Sequence, residues 1–373
     1  MIQIKKVKSY VFRYPLKVPV KTSFGIMSNR PMVLVQVTDN QGTEGWGEIW
    51  CNFPDVGAEY RARLVDSIIT PLLLSKSYEN SRLIFNDLTR STEVLAIQTG
   101  EYGPLAQCIA GIDIAINDLL AKKKATPIWK MLGGANDKVL AYASGINPTQ
   151  AMEMGKRAKN LGFNSLKLKI GFGNDLDFSN LTTLREIIGD EGKLMADVNQ
   201  GWSLKDAVTN IPLLKLFNLE WLEEPILANL PFRDWEHLSN ISSIPLAAGE
   251  NMASNVEFEK AIEQRILSVI QPDLAKWGGF TRCIPIAKKI VASGLKYCPH
   301  YLGGGIGLLA SAHALAAIGG NGTLEIDVNE NPLRADLIED SLSIKNGIAT
   351  IGHNPGLGVN PDLAKIEKYK VSH

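Results

Sequence analysis

The chain has 373 residues, enough for two domains or for one large barrel with additions. Its 39 basic and 39 acidic side chains cancel, and no basic stripe interrupts the balance, which excludes the electrostatic footprint of a nucleic-acid or membrane-surface binder. Small-molecule chemistry is the expectation that remains.

The opening stretch, MIQIKKVKSYVFRYP, alternates like a strand and lacks the apolar core of a signal peptide, so a cytoplasmic location is expected. PMVLVQVTD and TEGWGEIW read as two further strands, joined by a turn at Asp39-Asn40-Gln41-Gly42. AEYRARLVDSIITPLLL and QCIAGIDIAINDLLAKKK carry apolar residues at three- and four-residue steps and read as helices. Residues 1 to 130 therefore predict an α+β unit. Cys51, Cys108, Cys283 and Cys298 are scattered without zinc-type spacing and read as core thiols of a reducing compartment.

From residue 131 to 325 short apolar strands alternate with helical stretches, without tight hairpins. The strands are VLAYAS, SLKLKI, KLMADVN, LEWLEEP, IPLAAGE, SVIQPDL, KYCPH and TLEID. Eight such units are α/β and fit a (β/α)8 TIM-type barrel, with a doubly wound open sheet as the alternative. IGLLASAHALAAIGG is too short for a bilayer and reads as a buried helix, so no membrane partner is expected. The segment from 326 to 373, rich in Asn, Pro and Gly at first, is expected to pack back on the first unit.

Active sites of such barrels lie at the carboxyl ends of the strands, so the ionisable residues there carry the functional signal. Strand two ends in Lys167 and Lys169, three in Asp197, four in Glu223 and Glu224, five in Glu250, six in Asp273, seven in His300 and eight in Glu325. From Lys169 onward the intervals are 28, 26, 27, 23, 27 and 25 residues, so one βα period brings each to the same rim. Carboxylates from strands three, four and five repel one another unless a cation lies between them, and all-oxygen ligands favour Mg²⁺, with Mn²⁺ possible, over zinc. Lys167 and Lys169 share a face, the barrel interior. Burial and mutual repulsion disfavour their charge, so one of them is expected to be neutral and to act as a base. Asp273 and His300 end neighbouring strands and predict an acid/base dyad. GGGIG at 303–307 and WGGFT at 277–281 lack the context of a dinucleotide or phosphate loop; backbone room near a ligand or a helix start is the better reading.

In this order, KLK, ADVNQGW, WLEEP, AAGEN, IQPDLAKWGG, CPH and TLEID resemble the enolase superfamily, and within it the mandelate racemase subgroup. The resemblance runs over nearly the whole chain and implies an enolase-type modified barrel under an α+β cap. It makes Asp197, Glu223 and Glu250 the ligands of one Mg²⁺ ion, taking the first glutamate of the pair. Lys169 takes the position of the base on one side of the substrate, Lys167 that of a neighbour that tunes its pKa and contacts the substrate carboxylate. His300 with Asp273 resembles the dyad on the other side, Glu325 the eighth-strand acid, and Asn199 the polar residue near the metal. Asp273 and Glu250, where related subgroups carry lysine and usually aspartate, point to the mandelate racemase subgroup.

The reaction so implied removes the proton α to a carboxylate and gives a metal-stabilised enediolate. Dehydration of a sugar acid to a 2-keto-3-deoxy acid is the favoured outcome. Racemisation or epimerisation of a 2-hydroxy acid is the alternative, and a non-catalytic ligand-binding member comes third. A homo-oligomer, from dimer to octamer, is expected. The substrate is expected to meet the capping loops KTSFGIMSNRP and WCNFPDVG, where Lys21, Ser23 and Arg30 would face a polyol or second carboxylate, and Trp50 and Phe53 an apolar group.

Overall fold

The computed structural model describes every residue except Thr22, Phe24 and Ser75, and all side chains of the rest but that of Lys21. The alternation read from the first residues becomes β1 (Ile2–Lys21), paired antiparallel with β2 (Ile26–Asp39), which pairs in turn with β3 (Glu44–Ile49). β4 (Ser77–Tyr78) joins the far end of β1. The helix Tyr102–Lys123 packs on this sheet so closely that a Cβ on Gly47 would stand 2.0 Å from the Gly111 carbonyl oxygen. By length and composition that helix could cross a membrane, but 83% of its apolar window is buried inside the fold, where it acts as a core helix. Both predicted helical stretches of the cap form helices. A third helix, Ser81–Thr99, is not among those read from the sequence, although its ends signal it: Asn80 accepts from the Leu83 N–H as N-cap, and Gly100 closes the helix in the left-handed region at φ 72°.

The eight expected barrel strands are β5 (Lys138–Ile146), β6 (Ser165–Lys169), β7 (Lys193–Asp197), β8 (Leu219–Glu223), β9 (Leu246–Ala248), β10 (Val269–Ile270), β11 (Lys296–Tyr297) and β12 (Thr323–Asp327). Parallel pairing runs unbroken from β5 to β11, and β12 pairs with β5 from the other side. At the remaining seam the Thr323 N–H meets the Cys298 sulfur at 3.4 Å. Period two divides each strand. Leu166 and Leu168 pack outward against the helices, while Lys167 points inward. Below the lysine level Tyr142, Met195, Trp221, Ala247, Val269 and Cys298 form an apolar plug inside the barrel. Hydrophobic burial thus fills the bottom and middle, and the charged residues are displaced to the mouth.

After the barrel, β13 (Ser343–Lys345) and β14 (Ile348–Thr350) form a hairpin on the edge of β5, and β15 (Lys370–Val371) pairs with β1. The chain end therefore returns to the cap sheet after first touching the barrel. All four cysteines are free and buried.

Candidate active site

Register puts Lys169 beside Asp197 and Asp197 beside Glu223 on adjacent strands, at the mouth of the barrel. Lys167 Nζ lies 2.6 Å from Glu223, 2.8 Å from Glu325 and 3.9 Å from Asp197, and Lys169 Nζ is 2.5 Å from Asp197. Burial opposes the charge on both lysines, yet these carboxylates outweigh it: Lys167 is held well above the usual lysine range, and Lys169 is raised. The expectation that Lys167 keeps Lys169 neutral is corrected here. Two like charges face three acids, and the attraction dominates the repulsion.

His300 is bracketed in the same way. Its Nδ1 is 2.8 Å from Asp273 and its Nε2 2.9 Å from Glu250, with Glu325 3.9 Å away. With both ring nitrogens facing carboxylate oxygens, two ring protons satisfy the site. Burial works against that charge, but Glu250 and Glu325 outweigh it and hold the imidazole well above its ordinary range. Asp273 is fixed from behind by the Ala275 and Lys276 N–H groups, at 2.8 and 3.1 Å. Glu325 accepts from Ser144 at 2.5 Å and from the Tyr301 N–H at 3.2 Å. Asn199, in the left-handed region at φ 47°, donates its N–H and its side-chain amide to Asp197 at 2.7 and 3.2 Å.

The glutamate pair of WLEEP is divided by the strand. Glu223, the last residue of β8, faces inward to Lys167, the Trp221 indole and Gln271. Glu224 leaves the strand with φ 40° and takes the Asn251 amide at 2.8 Å. Burial pushes Glu223 up to about 7; burial, Glu250 and Asp197 push Glu224 well above the carboxylate range. Among the described residues no three metal-ligating side chains stand in a ready ligand arrangement, because each acid is turned onto one of the chain's own cations.

The charge count nevertheless fits a bound dication. Asp197, Glu223, Glu224, Glu250, Asp273 and Glu325 share the mouth with Lys167, Lys169, Lys276 and His300. With all six acids ionised and His300 protonated, the group would carry two unpaired negative charges, the charge of one divalent ion, and the upward push on Glu223 and Glu224 is what such a cation would relieve. The donors are all carboxylate oxygens, the chemistry that hard cations prefer.

Above these groups lies a cavity of about 280 Å³ whose lining includes Lys169, Asn199, Glu250 and His300 from the barrel and Arg30, Trp50 and Asn52 from the cap. Of the expected substrate contacts, Arg30, Trp50, Phe53 and Asn199 line it directly. Ser23 is exposed and donates its hydroxyl to the Asn199 carbonyl, bridging cap and barrel. The side chain of Lys21 lies outside the described residues. Lys276 also enters the site, its ammonium 4.8 Å over the Trp50 ring, 2.8 Å from Asn251 and 3.6 Å from Glu250. Its rim position in DLAKWGG was the signal in the sequence. Arg30 is buried with Nη2 2.7 Å from Asp327, while its Nε has no hydrogen-bond partner among the described residues.

Residues 6–133 match the family model for the mandelate racemase/muconate lactonizing enzyme N-terminal domain, and residues 150–365 match the enolase C-terminal domain-like model. A solved mandelate racemase/muconate lactonizing enzyme from Bordetella bronchiseptica RB50 is 47% identical, with TM-score 0.93 and 99% of each chain covered. D-galactarolactone cycloisomerase of Agrobacterium fabrum is 27% identical, again over 99% of each chain. Arabinonate dehydratase of Saccharolobus solfataricus is 27% identical over 92% of each. The structure of an L-talarate/galactarate dehydratase mutant liganded with Mg and L-glucarate is 25% identical, with TM-score 0.86 and coverage of 100% of this chain and 92% of that one. An enzyme, lyase or isomerase, fits all of these likenesses. The chain belongs to the mandelate racemase/muconate lactonizing enzyme family of the enolase superfamily.

Proposed function

We propose that this protein removes the proton α to the carboxylate of a sugar acid and expels a β-hydroxyl, giving a 2-keto-3-deoxy acid. The observation that carries the reading is one cavity shared by Lys169, from the second barrel strand, and His300, from the seventh. In the barrel order these strands are separated by β5 and β12 on one side and by β7 to β10 on the other, so the two groups approach a ligand from different sides.

Asp197, Glu223 and Glu250 would hold one Mg²⁺ ion. Bound there, it would supply positive charge to the substrate carboxylate as negative charge develops on it. Lys169 becomes a base only when Asp197 releases it, and Asp197 is one of the carboxylates that would then be engaged elsewhere. Neutral Lys169 takes the α proton, and the electron pair left on carbon delocalises into the carboxylate. Lys167, fixed between Glu223 and Glu325, offers a buried cation to that same group. His300, protonated between Asp273 and Glu250, donates its proton to the departing β-hydroxyl, which leaves as water. The resulting enol tautomerises to the keto acid.

The paired bases also support a second reading. If the proton from His300 returns to the α carbon on the opposite face, the product is the C2 epimer. Incubating the Mg²⁺-loaded protein with sugar and hydroxy acids in D₂O separates the two. A 2-keto-3-deoxy product supports dehydration, deuterium at C2 of an epimer supports epimerisation, and neither across a broad set would refute both. Lys169→Ala and His300→Asn are each expected to lower turnover by about 10²- to 10⁴-fold.

A further inference from the structure

The glycine run GGGIG begins three residues after His300, and what fills it comes from the other domain. Glu48, on β3 of the cap and only 2% exposed, accepts from the Gly304 N–H at 2.5 Å and the Gly307 N–H at 2.9 Å. Those N–H groups open the helix Gly305–Ile318, so the carboxylate meets the positive end of the helix as well as two donors. The fit leaves no room for side chains. A Cβ on Gly304 would stand 2.3 Å from Met32 Sδ and 2.7 Å from Glu48 Oε1, and one on Gly307 would stand 2.2 Å from the Tyr301 hydroxyl. The run is a socket for a cap carboxylate.

The segment that carries His300 is gripped at further points. Asn52, four residues beyond Glu48, donates to the Leu302 carbonyl at 2.6 Å; Asn331 donates to the Gly303 carbonyl at 3.1 Å; the Tyr301 N–H reaches Glu325. Trp50 and Asn52, which line the substrate cavity, thus sit on the same short stretch as Glu48. We infer that Glu48 is a positioning residue, which ties the cap segment that meets the substrate to the backbone that aims His300. This inference rests on the acid/base role proposed for His300.

Glu48→Gln conserves shape but sets an amide NH₂ against backbone N–H donors, so one of the two contacts is lost. The probes are galactarate and L-talarate, which differ in configuration at one α carbon, and the readout is deuterium uptake at that carbon by the Mg²⁺-loaded protein. If the two bases serve opposite faces, His300→Asn marks the epimer that depends on His300. Glu48→Gln is expected to slow uptake by that epimer about 10- to 100-fold, with KM and the other epimer changed less than about threefold. Glu48→Asp, which keeps the charge, is expected to recover part of the loss. It also serves as the test variant if the glutamine protein does not fold. An equal loss for both epimers, or none in a Glu48 variant while His300→Asn is impaired, overturns the positioning role alone. Neither uptake nor 2-keto-3-deoxy product from wild type, or both unaffected by His300→Asn, overturns the reading of His300 and this inference with it.

Discussion

Asp113 offers a test of how the cap is seated on the barrel, read in the pH dependence of stability. It lies on the cap helix Tyr102–Lys123 and is buried at the start of the barrel helix Gly279–Ala292. There it accepts from the Thr281 N–H at 3.0 Å and the Thr281 hydroxyl at 2.5 Å, where Gly279 leaves space: a Cβ on that glycine would stand 2.4 Å from Asp113 Oδ2. Burial pushes its pKa up to about 7, against 3.8 for an unperturbed aspartate, although the Thr281 donors pull the other way. The folded protein therefore holds a proton that the unfolded chain has lost. The associated stability is fully present below pH 3.8 and is lost as pH rises through 7. Across the whole window this amounts to about 4 kcal/mol, and between pH 5 and 8 to about 2.5 kcal/mol. Asp113→Asn, which does not titrate, removes the dependence, and comparison with wild type cancels the groups common to both. In urea unfolding the stability advantage of wild type over Asp113→Asn is expected to shrink by about 2.5 kcal/mol from pH 5 to pH 8. A gap that is the same at both pH values, or wider at pH 8, would refute the burial of a protonated carboxyl at this contact.

Other expectations follow from equally local features. His313, buried in the helix Gly305–Ile318, accepts the Trp129 N–H at 3.1 Å on Nδ1, and burial lowers its pKa from 6.5 to about 4. Its stability contribution has the opposite sign in pH, present above 6.5 and lost as pH falls through 4. His313→Gln should remove about 3 kcal/mol of acid sensitivity in that window, seen as a shallower loss of urea midpoint between pH 7 and 4. For the ion, Glu223→Gln is expected to weaken Mg²⁺ binding in calorimetry about tenfold or more; unchanged affinity would move the ligand assignment off the first glutamate of WLEEP.

The βα period was enough to place every strand end on one rim, because a closed barrel converts equal spacing in sequence into a ring in space. It put Lys167, Lys169, Asp197, Glu223, Glu224, Glu250, Asp273, His300 and Glu325 on that rim before any distance was known, the resemblance alone chose Glu223 over Glu224 as a ligand, and the alternation of β6 sent the lysines inward. The caps of Ser81–Thr99 were also written locally, in Asn80 and Gly100. Protonation was not local. A lysine pair read along the strand shows only burial and repulsion, whereas β7, β8 and β12 bring Asp197, Glu223 and Glu325 against it, and that attraction decides the charge. The same holds for GGGIG and WGGFT. Their glycines announce backbone approach, but the groups that approach, Glu48 and Asp113, come from more than 160 residues away in the cap. Sequence by itself determined which side chains could meet, through periodicity. Only the tertiary structure decided which of them pair, because Coulomb energy and hydrogen bonding depend on separations that the packing of two domains sets.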